Sequence, residues 1–573
     1  MDCNEIILSE DYADFIVQNA AVESNDIFIE AACIQPLNEA FRTEYIPLAE
    51  LYRGQPGGTD AFFLLAGSAL RKVDYYSFPK LYGLMDRSAL EQSRITDVQN
   101  QPALSLSGSG VLIGFVDTGI DWSLPVFRRT SGRTRIVALW DQAGEGINPP
   151  EGFYYGTLYQ AEELNAALEG LQDVPGDELG HGTFLASVAA GGEDARADFI
   201  GAAPEADLAV VKLKQAKSYL RTYFQIPEDV PAYQENDIMA GVMFLQQLAQ
   251  RRKQPLVLCI GLGSNQGQHA GTSPLAEMLT EIAGLPQRII CACAGNEGGR
   301  SSHYYGKLNL GVSRDVVELR VDPMETGFTM EFWAQSTEIY QITLQSPTGE
   351  TVPKLPGRQG SSQILNFVFE DTVVAVDYEV AEDRSGVFMV QFRFRSPTPG
   401  IWQIQVEQRL GTEGDFHMWI PIQDFLRGNT VFLRPWPDVT VTEPGNAVRV
   451  LTVGGYQHRD RSIYLNSGRG FNVFGIVKPT MVAPAVEVYG VEPAGFYGYQ
   501  TGTSIATALM AGACALLLEW AVIRYNSINM NTVEASAYLV RGAQRSAGRA
   551  YPNQEWGYGA LDLYRTFEVL TII

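Results

Sequence analysis

The sequence predicts an α/β protein built on a parallel sheet flanked by helices, with a small α+β module before it and an all-β unit inserted into it. Three observations carry this reading. Continuous apolar runs (VLIGFVD from Val111, then ADLAVVKL, PLVLCIG and RIICACAG) have the form of strands buried on both faces of a sheet. Helical patterns alternate with them, HGTFLASVAAG and DIMAGVMFLQQLAQRRK, the second ending in basic residues as a helix C-terminus favours. Over residues 312–441 the period falls to two, in VVELRVD, GFTMEFWAQ, YQITLQS, VFMVQFRFRS and IWQIQVEQR, with turn residues between the runs.

Taken in order, residues 1–85 mix short apolar runs with polar stretches and form the α+β module. Residues 86–311 hold the first part of the α/β unit, residues 312–441 a β-sandwich or jelly roll, and residues 442–573 the second part, where VRVLTVGGY resumes the buried-strand pattern. Residues 505–523 are almost wholly apolar, but Gly512 and Glu519 interrupt them, and they follow a motif with polar chemistry. A buried helix is predicted there rather than a membrane span.

The 573 residues are enough for a large core without staples. The net charge of -24 disfavours nucleic acid and anionic membranes as partners. Six cysteines are too sparse to predict a disulfide framework, and Cys259, Cys291, Cys293 and Cys514 sit in apolar runs as small buried hydrophobes. The acidic opening MDCNEIILSEDYADF is not a secretory signal, so a cytoplasmic location is expected.

Three motifs fall where ligand groups gather in open α/β sheets, outside the carboxyl ends of the strands. Asp117-Thr118-Gly119 ends a buried strand, Gly180-His181-Gly182-Thr183 opens a helix, and Gly502-Thr503-Ser504-Ile505-Ala506 opens another. A serine hydroxyl needs an adjacent base to become a nucleophile. His181 can serve as that base, and Asp117 can fix its tautomer and stabilise the imidazolium. In Ala294-Gly295-Asn296-Glu297-Gly298 a side-chain amide can donate to an oxyanion. Each residue alone has an ordinary reading, as a cap, a turn former or a structural histidine. The order Asp, His, Asn, Ser with flanking glycines is what distinguishes the set.

With VDTGID at 116–121, GHGTFLA at 180–186, AGNEGG at 294–299 and GTSIATALMAG at 502–512, the chain resembles the subtilase family over residues 90–300 and 445–565. The resemblance implies a seven-stranded parallel sheet and hydrolysis of peptide bonds. It makes Asp117, His181 and Ser504 the catalytic residues and Asn296 the oxyanion donor. It makes Gly261, Leu262, Gly263 and Gly295 substrate-binding, and it implies no cofactor; calcium is possible in the family but no dense Asp/Asn loop predicts it here. Ala508 and Leu509 depart from the family's usual Pro and His, and Gly261 from its usual Ser; the spacing from Asp117 to His181, longer than in compact members, implies a surface insertion around residues 125–172. The N-terminal module, the β insert and phrases such as TRIVALWDQ narrow the likeness to the Csp-type subtilases of clostridial bacteria, known from spore germination. That likeness makes residues 1–85 a prodomain, both folding template and inhibitor, removed by self-cleavage between about Phe78 and Ser93, near Leu84 or Met85. The partners it implies are a polypeptide substrate and the chain's own prodomain, and the location it implies is the cytoplasm or the spore of a bacterium. The alternative is a catalytically silent signalling protein that keeps the fold.

Overall fold

The structure is a computed structural model that describes residues 2–18, 31–52, 77–84, 91–146, 148–308, 314–352, 361–379, 387–411 and 414–570. Its centre is an eight-stranded sheet in the order Met481–Pro484, Leu451–Tyr456, Arg288–Cys293, Leu256–Ile260, Leu112–Asp117, Asp207–Lys212, Ile136–Asp141 and Thr157–Gln160. The first seven are parallel, and only Thr157–Gln160 runs antiparallel at the edge. The apolar runs are buried on both faces, as their unbroken hydrophobicity demands. Ile113, Phe115, Val257 and Cys259 face a core shared with the helices His181–Ala190 and Thr503–Leu518. Leu112, Val116, Leu256 and Leu258 face the opposite core, under the helices Glu235–Arg252 and Pro274–Ile282.

The strand Ile136–Asp141 corrects one reading. Residues 125–172 are not simply a surface insertion, because Trp140 and Leu139 are fully buried and the strand pairs with Asp207–Lys212 inside the sheet. Its mixed composition, with Arg135 and Asp141 at the ends, masked it. The apolar stretch Thr503–Ile523 is long enough to cross a membrane, yet 94% of its most apolar window is buried inside the protein. It is the helix at the centre of the first core, where Ala508 and Leu509 are both wholly enclosed.

The inserted unit is two antiparallel sheets, one of six strands and one of four, packed around an aromatic core that includes Phe328, Phe332, Phe388, Phe392 and Trp402. Its first strand, His303–Lys307, pairs with Asp415–Trp419, so the insert begins earlier than the predicted 312. The alternation in HYYGK is too short to reveal this. The N-terminal module has the strands Tyr12–Gln18, Phe41–Pro47 and Cys33–Pro36 and the helix Cys3–Leu8. A disulfide joins Cys3 to Cys33. The cysteine count did not predict it, because one bond is not a framework and the two residues lie 30 apart in sequence.

Module, insert and sheet meet around the helix Ser218–Phe224. Phe78 stacks on Tyr223 at 4.7 Å and meets Phe15 edge-on at 5.3 Å. Arg393 of the insert also lies over the Tyr223 ring, its guanidinium carbon 4.1 Å from the centroid. Below it, buried Asp14 accepts from Lys217 Nζ at 2.5 Å and from the side chains of Gln234 and Asn236 at 3.1 Å.

Candidate active site

Asp117 is the last residue of the central strand Leu112–Asp117, and its side chain is buried. Its Oδ1 accepts from the Thr118 amide at 2.8 Å and lies 2.8 Å from His181 Nδ1. His181 opens the helix His181–Ala190, and its Nε2 lies 3.3 Å from Ser504 Oγ. The carboxylate fixes the imidazole so that Nδ1 carries a proton and Nε2 faces the hydroxyl. The 3.3 Å separation is at the long end for such a bond, as is usual before a substrate tightens it. Ser504 is in the first turn of Thr503–Leu518, where backbone N–H groups have no intrahelical partner and the dipole favours negative charge.

Asn296 follows the strand Arg288–Cys293. Its Oδ1 accepts from the Thr503 amide at 3.2 Å and from the Thr503 hydroxyl at 3.3 Å. With the oxygen committed to Thr503, the residue before Ser504, the amide nitrogen is the atom of this side chain that can donate. Gly295 has φ +83, and a Cβ there would lie 2.5 Å from Thr442. Gly182 lets the His181 helix approach the Asp117 turn, since a Cβ would lie 2.2 Å from the Gly119 carbonyl.

Sequence reasoning missed Asp177. It is buried four residues before His181 and ties the approach to that helix. Its Oδ1 accepts from Gly180 N and Thr118 Oγ1, both at 2.8 Å, and its Oδ2 from Thr183 N at 2.8 Å and Thr183 Oγ1 at 2.7 Å. Thr118 Oγ1 in turn accepts from Gly182 N at 2.9 Å. One carboxylate thus satisfies helix-start donors and locks the turns that carry Asp117 and His181. An acidic residue just before a predicted helix was the available signal.

Gly261 stands where its backbone touches the site. A Cβ would come within 3.3 Å of both His181 Cε1 and Ser504 Cβ, and 2.6 Å from Leu185 Cδ1. The usual Ser of the family has no room here because Leu185 fills the space. Next to it Leu262–Gly263 pairs antiparallel with the chain's own strand Leu81–Leu84, Leu84 opposite Leu262 and Gly83 opposite Gly263. The other edge of that strand pairs with Tyr233–Gln234. The predicted segment 261–263 is therefore one wall of a groove that already holds an extended strand. The second wall, Tyr233–Gln234, carried no sequence signal, being two residues ahead of a long helix. Of the predicted cleavage window, residues 85–90 lie outside the described residues.

The four cysteines of the apolar runs are free and buried. Cys293 lies behind the groove, its Sγ 3.4 Å from the Leu262 carbonyl, and burial pushes its thiol up to about 12. It is a packing residue, not a second nucleophile.

Comparison with known proteins identifies the family and the fold. The model of the subtilase family matches residues 108–314 and 428–559. The structure of the Clostridium perfringens CspB protease superposes with a TM-score of 0.74 and 29% identity, covering 84% of this chain and 97% of that one. Pyrolysin of Pyrococcus furiosus is 32% identical over 113 residues, 19% of this chain and 8% of pyrolysin. The membrane-bound transcription factor site-1 protease of Mus musculus is 31% identical over 138 residues, 23% of this chain and 12% of the relative. These two curated relatives are thus matched over about a tenth of their length. Motif order, sheet and the span of the family match lead to one conclusion: the chain belongs to the subtilase family, a family of serine endopeptidases.

Proposed function

We propose that the chain is a serine endopeptidase that hydrolyses peptide bonds through Asp117, His181 and Ser504, with Asn296 as oxyanion donor. The observation that carries this reading is the continuous relay from Asp117 Oδ1 through the His181 ring to Ser504 Oγ, set beside a groove that accepts an extended strand. Ser504 Oγ attacks the carbonyl carbon while His181 Nε2 takes its proton. The resulting oxyanion is met by the Asn296 amide and the amide of Ser504. The tetrahedral species collapses as His181 returns the proton to the departing amine. Water, deprotonated by the same imidazole, then releases the acyl group and restores the serine.

The N-terminal module is a prodomain in this reading. Leu81–Leu84 lies in the groove as a substrate does, antiparallel to Leu262–Gly263, so the chain is its own first substrate, cut near Leu84 or Met85. By the sequence's resemblance to the Csp-type subtilases, the mature enzyme activates a protein precursor in a germination-type role. The test of the serine chemistry is a fluorophosphonate probe. Wild type is expected to take one label and Ser504→Ala none. A folded wild type that takes no label would contradict the reading and favour a silent signalling protein.

A further inference from the structure

The N-terminal module grips the rest of the chain through two short elements. The first is the helix Cys3–Leu8. Its Ile6 and Ile7 are buried in a cluster with Trp140, Phe153 and Tyr155, and Asn4 Nδ2 donates to the Glu145 carbonyl at 3.4 Å. The second is the strand Cys33–Pro36. Gln35 Nε2 donates to the Gly152 carbonyl at 2.8 Å, and Gln35 Oε1 accepts from the Tyr154 amide at 3.0 Å. Both grips close on the same connection, between the strands Ile136–Asp141 and Thr157–Gln160. The Cys3–Cys33 disulfide ties one grip to the other.

Neither element holds well by itself. A helix of six residues is marginal without support, and Cys33–Pro36 lies at the edge of a three-stranded sheet. Nor has the module a core of its own among the described residues. Ile6, Ile7, Ile16 and Phe41 fall in one cluster shared with the catalytic unit, and Phe15 and Phe78 in another. A module that leaves therefore loses its core and gains chain freedom. The disulfide removes part of that freedom, which favours the seated form. Cys33 is buried but Cys3 is only partly so, leaving the bond within reach of a thiolate. The other four cysteines are free and buried.

We propose that the Cys3–Cys33 bond is a redox latch on the prodomain: oxidised, it keeps the cut module seated; reduced by a dithiol, it releases it. One thiolate of the dithiol attacks Cys3 Sγ, and Cys33 departs as a thiolate that takes a proton. The second thiol of the reductant then closes on its own first sulfur and frees Cys3 as a thiol. The dithiol ends as a disulfide, and the protein gains two electrons and two protons. The inference rests on the prodomain reading and adds its control. The test uses full-length wild type and a Cys3→Ser/Cys33→Ser variant, purified in air, each with and without dithiothreitol. Intact mass reports the cut, and gel filtration over time reports how fast the small fragment parts from the large one. Alkylation of the denatured wild type is expected to mark four cysteines without reductant and six with it. Dithiothreitol should speed the parting of wild type by about tenfold or more, and the variant should part at the fast rate in both conditions. The wild-type pair decides alone if the variant does not fold. An uncut wild type removes the prodomain reading, and the latch with it. A cut wild type that parts equally fast in both states, six alkylated cysteines without reductant, or a variant that still responds to dithiothreitol would overturn the latch alone.

Discussion

Asp177 illustrates how a residue that touches no substrate governs those that do. Its two oxygens hold Gly180, Thr183 and Thr118 in place, and through them the strand end that bears Asp117. Asp177→Ala is expected to lower kcat by one to two orders of magnitude, with KM little changed, in steady-state kinetics on peptides. Normal kcat in a folded variant would show that the turns hold without it. Asn296 is the proposed oxyanion donor, and Asn296→Ala should cost about 10²–10³ in kcat while leaving probe labelling at Ser504 detectable. The four motif positions were legible in the sequence because each needs one residue type and brings its own glycines. Asp177 was not, because a carboxylate near a helix start is ordinary, and its meaning appears only when Thr118 and Thr183 converge on it.

The elements were read most securely where burial is complete. The strands Leu112–Asp117, Asp207–Lys212, Leu256–Ile260 and Arg288–Cys293 are apolar on both faces and announce themselves. Ile136–Asp141 and His303–Lys307 are shorter or mixed and were misplaced. Gly261 precedes the strand that lines the groove, and its missing Cβ is a packing requirement imposed by Leu185 of the His181 helix. Gly261→Ala should push that helix and cut kcat/KM roughly tenfold or more, and Leu185→Ala on the same background should recover part of the loss by opening the space. If the double variant is as impaired as the sum of the singles, the collision with Leu185 is not the cause. At the junction of insert and sheet, His303 Nδ1 meets the Asp438 carbonyl at 2.7 Å and its Nε2 meets His417 Nδ1 at 2.9 Å, with both rings stacked near Trp419. Burial holds His303 well below the usual histidine range and His417 down to about 3. Both are neutral in the fold, so the stability they confer is full above about pH 6.5 and is lost as pH falls from there toward the folded values, about 2 kcal/mol per histidine at pH 5. Melting temperatures from pH 7 to 5 are expected to fall more in wild type than in a His303→Phe/His417→Phe double variant; equal falls would exonerate the pair.

Across the whole molecule the three parts of the chain depend on one another. The β insert clasps Tyr223 through Arg393 while the N-terminal module stacks Phe78 on the same ring. The module's Asp14 is the buried partner of Lys217. Asp14→Ala leaves that ammonium buried and unpaired, which costs on the order of 3–5 kcal/mol. It should appear as a loss of soluble folded protein on expression, whereas an undiminished yield would mean that the module is not needed for folding. None of this assembly was visible in the sequence, since each contact joins residues more than a hundred positions apart through side chains that look ordinary in isolation. The central claim is that the chain cuts itself with Ser504 at the strand it holds in its own groove. The intact masses of freshly purified wild type and Ser504→Ala test it most directly. The account predicts two fragments for wild type, the smaller ending near residues 84–85, and a single uncut chain of 63.0 kDa for the variant. A wild type that stays whole, or a variant cut at the same bond, would contradict it.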